Sequence, residues 1–213
     1  MATKPDGAAT PFALRRQGIG IIVAVGFGAL WAVWARAWLI HYPTVVPCVA
    51  YAIAAAVSVA LMAAGFTTVR RARQRSGEPD TPAAVRSRIG RQYWIVVIAE
   101  VVVLNIAAAT LLGHNHGEYL ASVFAIIVGL HFFPLARIFR APHYHVTATL
   151  MTIAGGAATL AIAAGAPAVM AAGLADIACA VVLWGTAFVS WQHTRRAAGS
   201  RYPPAVAGTL SAH

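Results

Sequence analysis

Apolar residues occur along this chain in long blocks, which are separated by short polar or basic stretches. Six such blocks can be drawn, at residues 17–40, 45–69, 93–113, 119–139, 146–165 and 169–191. A helix rises about 1.5 Å per residue, so each block is long enough to cross a hydrocarbon layer of about 30 Å. The pattern therefore predicts an all-α, polytopic membrane protein with six transmembrane helices.

The composition agrees with this class and limits the partners. Of the 213 residues, 60% are hydrophobic and only 10% are charged, which is far from the composition of soluble proteins. The net charge of +10 could indicate nucleic-acid binding, but Lys and Arg lie between the apolar blocks rather than in a stripe interleaved with aromatics. We expect no nucleic-acid partner, whereas a small solute or ion and a second copy of the chain remain open as partners.

The distribution of Lys and Arg predicts the orientation. Basic residues precede the first block, fill the loop at 70–92, end the fourth block and follow the sixth, whereas the connections "HYP", "HNHGE" and "GAP" contain none. By the positive-inside rule, both termini are expected in the cytoplasm. The arginines of residues 70–91 are expected to bind anionic lipid headgroups. The tails, 1–14 and 194–213, are rich in small residues and Pro, so we expect them to be disordered.

The first block has an alternative interpretation as a signal peptide. Arg15 and Arg16 resemble a basic n-region, and "ARA" at 35–37 resembles a cleavage site. However, the apolar run is long for a signal peptide, and cleavage would leave an odd number of spans with all basic loops still requiring the cytoplasm. We therefore favour an uncleaved helix.

One arginine-aromatic pattern occurs twice. The stretch "GALWAVWARAWLIHYP" begins at residue 28 and "GLHFFPLARIFRAPHYH" begins at residue 129. The second stretch places Gly129, Phe132, Ala136, Arg137 and Phe139 where the first has Gly28, Trp31, Ala35, Arg36 and Trp38. At about 100° per residue, each arginine points away from the aromatic side chains of its own helix.

The correspondence continues at the same spacing. Residues 52–65 align with 152–165, although mostly Ala on Ala, and "IAEV" with Glu100 aligns with "LADI" with Asp176 once the long loop is skipped. These matches predict a duplication of three spans, 15–113 and 114–193. Because three is odd, the second copy would be inserted upside down, as an inverted-topology repeat.

The repeat predicts two charge pairs. Glu100 and Asp176 each lie about 10 Å from one membrane surface, at the same depth as Arg137 and Arg36 respectively. Since isolated charges are costly in a bilayer, we expect Arg36 to pair with Asp176 and Arg137 with Glu100. Alternatively, both arginines extend to the headgroups as interfacial anchors.

Three further residues lie within the blocks. His131 is interpreted first as a hydrogen-bonded packing residue and second as part of a proton relay or substrate site. Pro134 is expected to break the hydrogen bonding of its helix and kink it. Asn105 is expected to form hydrogen bonds between helices.

No cofactor or metal site is expected. The pairs His114/His116 and His143/His145 are attributed to loop polarity, because they fall on opposite sides of the membrane. A haem would require two facing histidines within the core, where only one lies at depth. Two cysteines, Cys48 and Cys179, form no zinc or disulfide pattern and are expected to be buried.

The stretch "GLHFFPLARIFRAPHYH" resembles a helix-and-loop signature of small uncharacterised bacterial integral membrane proteins. The resemblance implies a bacterial inner-membrane protein and no activity.

Three classes of function remain. A transporter or channel for a small solute or ion would explain an inverted repeat, intramembrane charges and Pro134 together. A structural or accessory membrane protein is the alternative, and an intramembrane enzyme comes third because no catalytic motif is present.

Overall fold

The structure is a computed structural model and describes residues 11–74 and 83–199. Within these ranges the chain is helical, with no strand and with one short 3₁₀ turn at Gly117–Tyr119. The helices are α1 (Pro11–Trp34), α2 (Arg36–Leu39), α3 (Val45–Gln74), α4 (Ala83–Gly113), α5 (Leu120–Phe139), α6 (His143–Ala163) and α7 (Ala168–Gly199).

Six of the helical segments are long and apolar enough to cross a membrane, with α1 and α2 together forming the first. For the described residues, this confirms the prediction of an all-α fold with six helices that are long and apolar enough to span a membrane. Much of the apolar surface faces outward: 0% of the most apolar stretch of α4 and 6% of that of α3 is buried. Such surface is unfavourable in water and is consistent with helices that contact lipid.

The helices extend further than predicted at the charged end of the bundle. Helix α1 begins at Pro11, α3 continues to Gln74 and α7 continues to Gly199, so parts of the predicted tails and of the loop at 70–92 are helical. The apolar blocks mark only the length buried in hydrocarbon, and Arg, Gln and Ala prolong a helix readily beyond it. The remaining residues predicted to be disordered, 1–10 and 200–213, lie outside the described residues, as do residues 75–82.

We call this end the basic end of the bundle. It contains the first two turns of α1 with Arg15 and Arg16, the last turns of α3, α5 and α7, and the first turns of α4 and α6. The opposite end contains the connections at 40–44, 114–116 and 164–167. Arg36 lies near the opposite end and Arg137 near the basic end, as the topology of the helices requires.

Two pairs of helices approach closely through glycines. Gly18 and Gly65 allow α1 to pack on α3, since a Cβ at Gly18 would lie 3.1 Å from the backbone oxygen of Gly65. Between α5 and α6, a Cβ at Gly155 would lie 2.5 Å from the backbone oxygen of Ser122. Small residues at such crossings let the backbones pack directly.

The remaining contacts are not distributed equally between the two halves of the chain. Helix α7 packs against α1, α2, α3, α5 and α6 and lies at the centre of the bundle. By contrast, α4 contacts α5 and the 3₁₀ turn, and no other helix of the described ranges. A central cluster made of residues from α1, α5, α6 and α7 fills the interior: Trp31, Ala125, Val128, Met151, Cys179, Ala180 and Leu183.

Candidate functional site

A cavity of about 720 Å³ lies in the half of the bundle nearest the basic end. It is bounded by α1, α4, α5 and α7, and by the connection between α5 and α6. Ligand pockets commonly measure about 300–1,000 Å³ and are lined mostly by apolar groups with a few polar ones. The walls here follow that pattern, with Val23, Phe27, Val97 and Leu183 among the apolar lining residues.

The cavity ends at the middle of the bundle. Val128 and Leu183 line it and also belong to the central cluster, which is closely packed. Trp31 and Met151 of the same cluster are 2% and 0% exposed, so close apolar packing bounds the cavity at this point. The cavity therefore opens toward the basic end and is closed toward the opposite end.

An acid-base pair lies in the cavity wall. Nδ1 of His131 on α5 lies 3.0 Å from Oε1 of Glu100 on α4, and the two side chains are 14% and 11% exposed. The same Nδ1 lies 2.7 Å from the carbonyl oxygen of Val128. Because carbonyl oxygens accept hydrogen bonds, this tautomer carries its hydrogen on Nδ1. Of the acid-base pairs within the described residues, this one lies in the interior, whereas His116 with Glu118 lies in an exposed connection.

The predicted pairing of Glu100 with Arg137 was wrong. Arg137 is exposed and forms no ion pair within the described part of the chain. The reason is helical geometry: Arg137 follows His131 by six residues and points about 120° away from it, so α5 presents His131 rather than Arg137 to α4. His131 thus has a charged partner, which goes beyond the packing role that we expected first.

The predicted pairing of Asp176 with Arg36 was also wrong. Arg36 is exposed, whereas Asp176 is 3% exposed and its Oδ1 has no hydrogen-bond partner among the described residues. Helix α7 meets α2 through Gly173, which faces Trp38. Trp38 is two residues from Arg36 and on the opposite side of the helix, so Arg36 points outward.

Asn105 does not have the role predicted for it, whereas the predicted kink at Pro134 stays a prediction. Asn105 is exposed and its Nδ2 donates a hydrogen bond to the carbonyl oxygen of Val101, 2.7 Å away on its own helix, rather than to another helix. Pro134 lies inside α5, which continues through it to Phe139. Its contribution here is local, because a proline leaves the carbonyl four residues earlier without its usual donor.

The sequence analysis did not predict the polar mouth of the cavity, which is lined by Arg16, Arg140, His143 and His193. Arg16 on α1 donates a hydrogen bond from Nη2 to the carbonyl oxygen of Phe139, at 3.1 Å, and its guanidinium lies 4.8 Å from the centre of the Phe139 ring. A cation at the carboxyl end of α5 is favoured by the helix dipole. Arg16 had been interpreted only as a topological signal, but its half-buried side chain lines the cavity.

Two histidines complete this mouth. His143 is the first residue of α6 and stacks on His193 of α7 with ring centres 5.8 Å apart. Its Nε2 also lies 3.1 Å from Oγ of Ser190. The interpretation of His143 as loop polarity was therefore wrong, although His145 is exposed. The available signal was the position of His143 directly after Pro142, a residue that commonly starts a helix.

A ladder of hydroxyl groups on α7 supports the mouth. Thr186, Ser190 and Thr194 follow one another at four-residue spacing, and each donates to the carbonyl oxygen four residues earlier at 2.8 Å. Oγ1 of Thr186 also lies 2.6 Å from Oγ1 of Thr147 on α6, and the hydroxyl hydrogen of Thr194 is shared with Oε1 of Gln17 on α1, at 3.2 Å. These bonds join α7 to two neighbouring helices and fix the cavity wall.

Among the described residues, the cysteines and histidines are not grouped as a metal site would require. Cys179 is buried as expected, whereas Cys48 is exposed, near the start of α3. Within residues 11–74 and 83–199, no three His, Cys, Asp or Glu side chains lie close enough together to hold a metal ion.

Comparison with models of known protein families, with curated proteins and with solved structures found no match for the chain. The function is therefore argued from the cavity and its residues. The six helices are consistent with a multi-pass integral membrane protein.

Proposed function

We propose that the protein is a transporter of a small solute or ion in the bacterial inner membrane, with both termini in the cytoplasm. The observation that carries this proposal is the cavity that opens at the basic end and reaches the Glu100–His131 pair. The basic end faces the cytoplasm by the positive-inside rule. The cavity is then the inward-facing binding site.

The Glu100–His131 pair supports a role in transport. Charged groups inside a membrane protein are costly and typically mark substrate or ion pathways. Here the pair lies on two helices, in the wall of a cavity and with both side chains partly exposed to it. A solute or proton that reached the cavity would meet a carboxylate and an imidazole, two groups that exchange protons readily.

The unequal packing of α4 and α7 is what an inverted repeat would show in an inward-facing state. In this hypothesis α1 corresponds to α5, α3 to α6 and α4 to α7. The α1–α3 and α5–α6 pairs are both closely packed, whereas α4 is separated from α1 and its counterpart α7 contacts α5. In the outward-facing state we expect α4 to close on α1 and α7 to separate from α5, which would expose Asp176.

The proposal is tested with purified protein in liposomes that contain a pH-sensitive dye. Proton-linked flux is measured while a panel of inorganic ions and small organic acids, bases and sugars is applied as gradients. We expect flux above empty liposomes for one class of solute, and its loss in Glu100→Gln and His131→Phe. The matched control is Arg137→Gln, which removes an exposed charge from α5 outside the cavity and should retain the flux.

One observation favours a structural or accessory role instead. Arg36 and Arg137 are both exposed, as expected of interfacial anchors, and the central cluster seals the bundle. Absence of flux for every solute, in preparations that remain helical and monodisperse, would contradict transport and leave this alternative. Flux that survives in both Glu100→Gln and His131→Phe would contradict the role of the pair.

A further inference from the structure

We propose that the cavity binds a single-chain amphiphile with an anionic headgroup, such as an alkyl phosphate or a fatty acid, which enters sideways from the membrane between α1 and α4. This inference rests on the proposed function, because it names the substrate class of the same cavity. The headgroup would lie at the mouth near Arg16, and the chain would follow the apolar wall.

The path from the membrane is given by the helix packing. Helices α1 and α4 both line the cavity, but their backbones do not approach each other closely within the described ranges. On α1, Ile19, Val23 and Phe27 line the cavity and are nonetheless 46%, 41% and 46% exposed. The cavity is therefore open at the side that would face lipid, and its rim there is apolar. A water-soluble solute would not enter from the lipid, whereas an acyl chain could pass from the lipid through such an opening.

The mouth supplies positive charge for a headgroup. Arg16 and Arg140 both line the cavity, and the stacked rings of His143 and His193 line its other side. A guanidinium has five N–H donors, and the bond from Arg16 to the carbonyl oxygen of Phe139 occupies one of its nitrogens. The remaining donors match the oxygens of a phosphate or carboxylate, which arginine binds well.

The conformation of Arg140 is a second feature of this mouth. It follows the last residue of α5 with φ of 50°, in the left-handed region that side chains other than glycine seldom adopt. In this conformation its backbone N–H donates to the carbonyl oxygen of Arg137 at 3.3 Å, and that of Ala141 donates to Ala136 at 3.0 Å. This is the hydrogen-bond pattern with which helices commonly end, and it places Arg140 at the end of α5, where it lines the cavity.

The acid in the cavity does not oppose an anionic ligand. Tyr93 lies at the level of the mouth, because its ring centre is 5.9 Å from that of Phe139, on which Arg16 stacks. Glu100 follows Tyr93 by seven residues on α4, about 10 Å deeper. Its carboxylate is therefore separated in depth from the mouth, and it accepts a hydrogen bond from Nδ1 of His131 at 3.0 Å. The ligand is thus expected to present its charge to the arginines and its chain to the deeper apolar wall.

The size of the cavity favours one chain over two. A volume of about 720 Å³ is in the range of pockets for drug-sized ligands, of about 300–1,000 Å³. A diacyl phospholipid is much larger than such ligands and would have to leave most of its chains in the bilayer.

The test uses full-length protein in nanodiscs of phosphatidylcholine and tritium-labelled dodecyl phosphate as the probe. We expect saturable binding above empty nanodiscs at one molecule per chain. Arg16→Gln should weaken it about 10- to 100-fold, which is the effect of losing one hydrogen-bonded charge. Arg15→Gln is the matched control, since Arg15 is the exposed neighbour of Arg16 and does not line the cavity; it should bind like the wild type.

A second pair of variants tests the opening between the helices. Val23→Trp should obstruct the rim and weaken binding about tenfold, the effect of overfilling a packed site. Val33→Trp makes the same change at an exposed position of α1 that does not line the cavity, and should have no effect. Because both variants introduce the same residue on the same helix, a general loss of folding would appear in both.

Three outcomes would overturn the inference. Equal competition by dodecyltrimethylammonium would show that the negative charge is irrelevant, and equal competition by inorganic phosphate would show that the chain is irrelevant. Co-purification of a diacyl phospholipid that dodecyl phosphate does not displace would identify a different occupant. The transporter and the amphiphile site can fail independently. Saturable binding without flux in liposomes would refute the transporter and support the site. Flux of another solute without binding of dodecyl phosphate would support the transporter and refute the site.

Discussion

Two double-mutant cycles can compare the Glu100–His131 pair with the Glu100–Arg137 pair that was predicted from depth in the membrane. The first combines Glu100→Gln with His131→Phe, and the second combines Glu100→Gln with Arg137→Gln. Each cycle gives the coupling energy between two side chains from the free energies of unfolding of the wild type, the single variants and the double variant. The structure predicts coupling in the first cycle and none in the second.

The expected size follows from the geometry. A hydrogen bond of 3.0 Å, such as that from Nδ1 of His131 to the Glu100 carboxylate, is worth about 4–6 kcal/mol in an apolar medium. Much of this offsets the desolvation of both groups, since the two side chains are only 14% and 11% exposed. Measured couplings between neighbouring groups are about 0.5–3 kcal/mol, and those between polar groups in one membrane protein average about 0.6. We expect about 1–3 kcal/mol for Glu100 with His131.

The assay is reversible unfolding in mixed micelles by increasing mole fraction of sodium dodecyl sulfate, followed by far-ultraviolet circular dichroism. For Glu100 with Arg137, a coupling within about 0.5 kcal/mol of zero is expected, as for separate sites. A coupling below that limit for Glu100 with His131, or a larger one for Glu100 with Arg137, would refute the arrangement of α4 and α5 described above.

Two further predictions concern packing and orientation. Gly155→Ala should destabilise the protein by about 1–3 kcal/mol, because the new Cβ would meet the backbone of Ser122 at 2.5 Å. Its control, Gly156→Ala, places a Cβ with nothing within 4 Å and should be neutral or stabilising by up to about 1 kcal/mol. Equal unfolding midpoints for the two variants would contradict the close approach of α5 and α6. In a background without native cysteines, Gln74→Cys should be shielded and Ala166→Cys labelled when an impermeant thiol reagent is added to intact cells, since both positions are exposed on opposite ends of the bundle. Equal labelling of the two would contradict the proposed orientation.

The number and approximate limits of the helices could be predicted from the sequence, because each apolar block carries its own signal. The contacts of the charged residues could not. Glu100 was predicted to pair with Arg137, and the choice of His131 instead depends on a rotation of α5 that hydropathy does not encode. The exposure of Arg36 depends similarly on how α2 is turned relative to α7.

The mouth of the cavity was missed for a different reason. Arg16 and His143 lie at the ends of apolar blocks, where polar residues are expected in any membrane protein. Only the packing of α1, α5, α6 and α7 brings them around one cavity. A sequence shows that such residues lie at the same end of the bundle. Their positions in the sequence do not distinguish a residue that lines a cavity from one that anchors the helix at the membrane surface.

The reactivity of Cys179 tests alternating access most directly. This native thiol is 0% exposed in the structure, and it lies on α7 three residues after Asp176. Cys48 is replaced by Ala, and a small impermeant thiol reagent is applied from the side opposite the basic end. The matched control is Ser122→Cys in a chain without other cysteines, because Ser122 is also 0% exposed but lies where α5 packs on α6.

If α7 separates from α5 in an outward-facing state, Cys179 will be labelled progressively, while the thiol of the Ser122→Cys control stays protected in the permanent α5–α6 contact. Addition of a transported solute should change the rate for Cys179 alone, by shifting the population between the two states. Equal protection of both thiols over the same time, with and without solute, would show that the bundle does not open on that side and would contradict transport by alternating access.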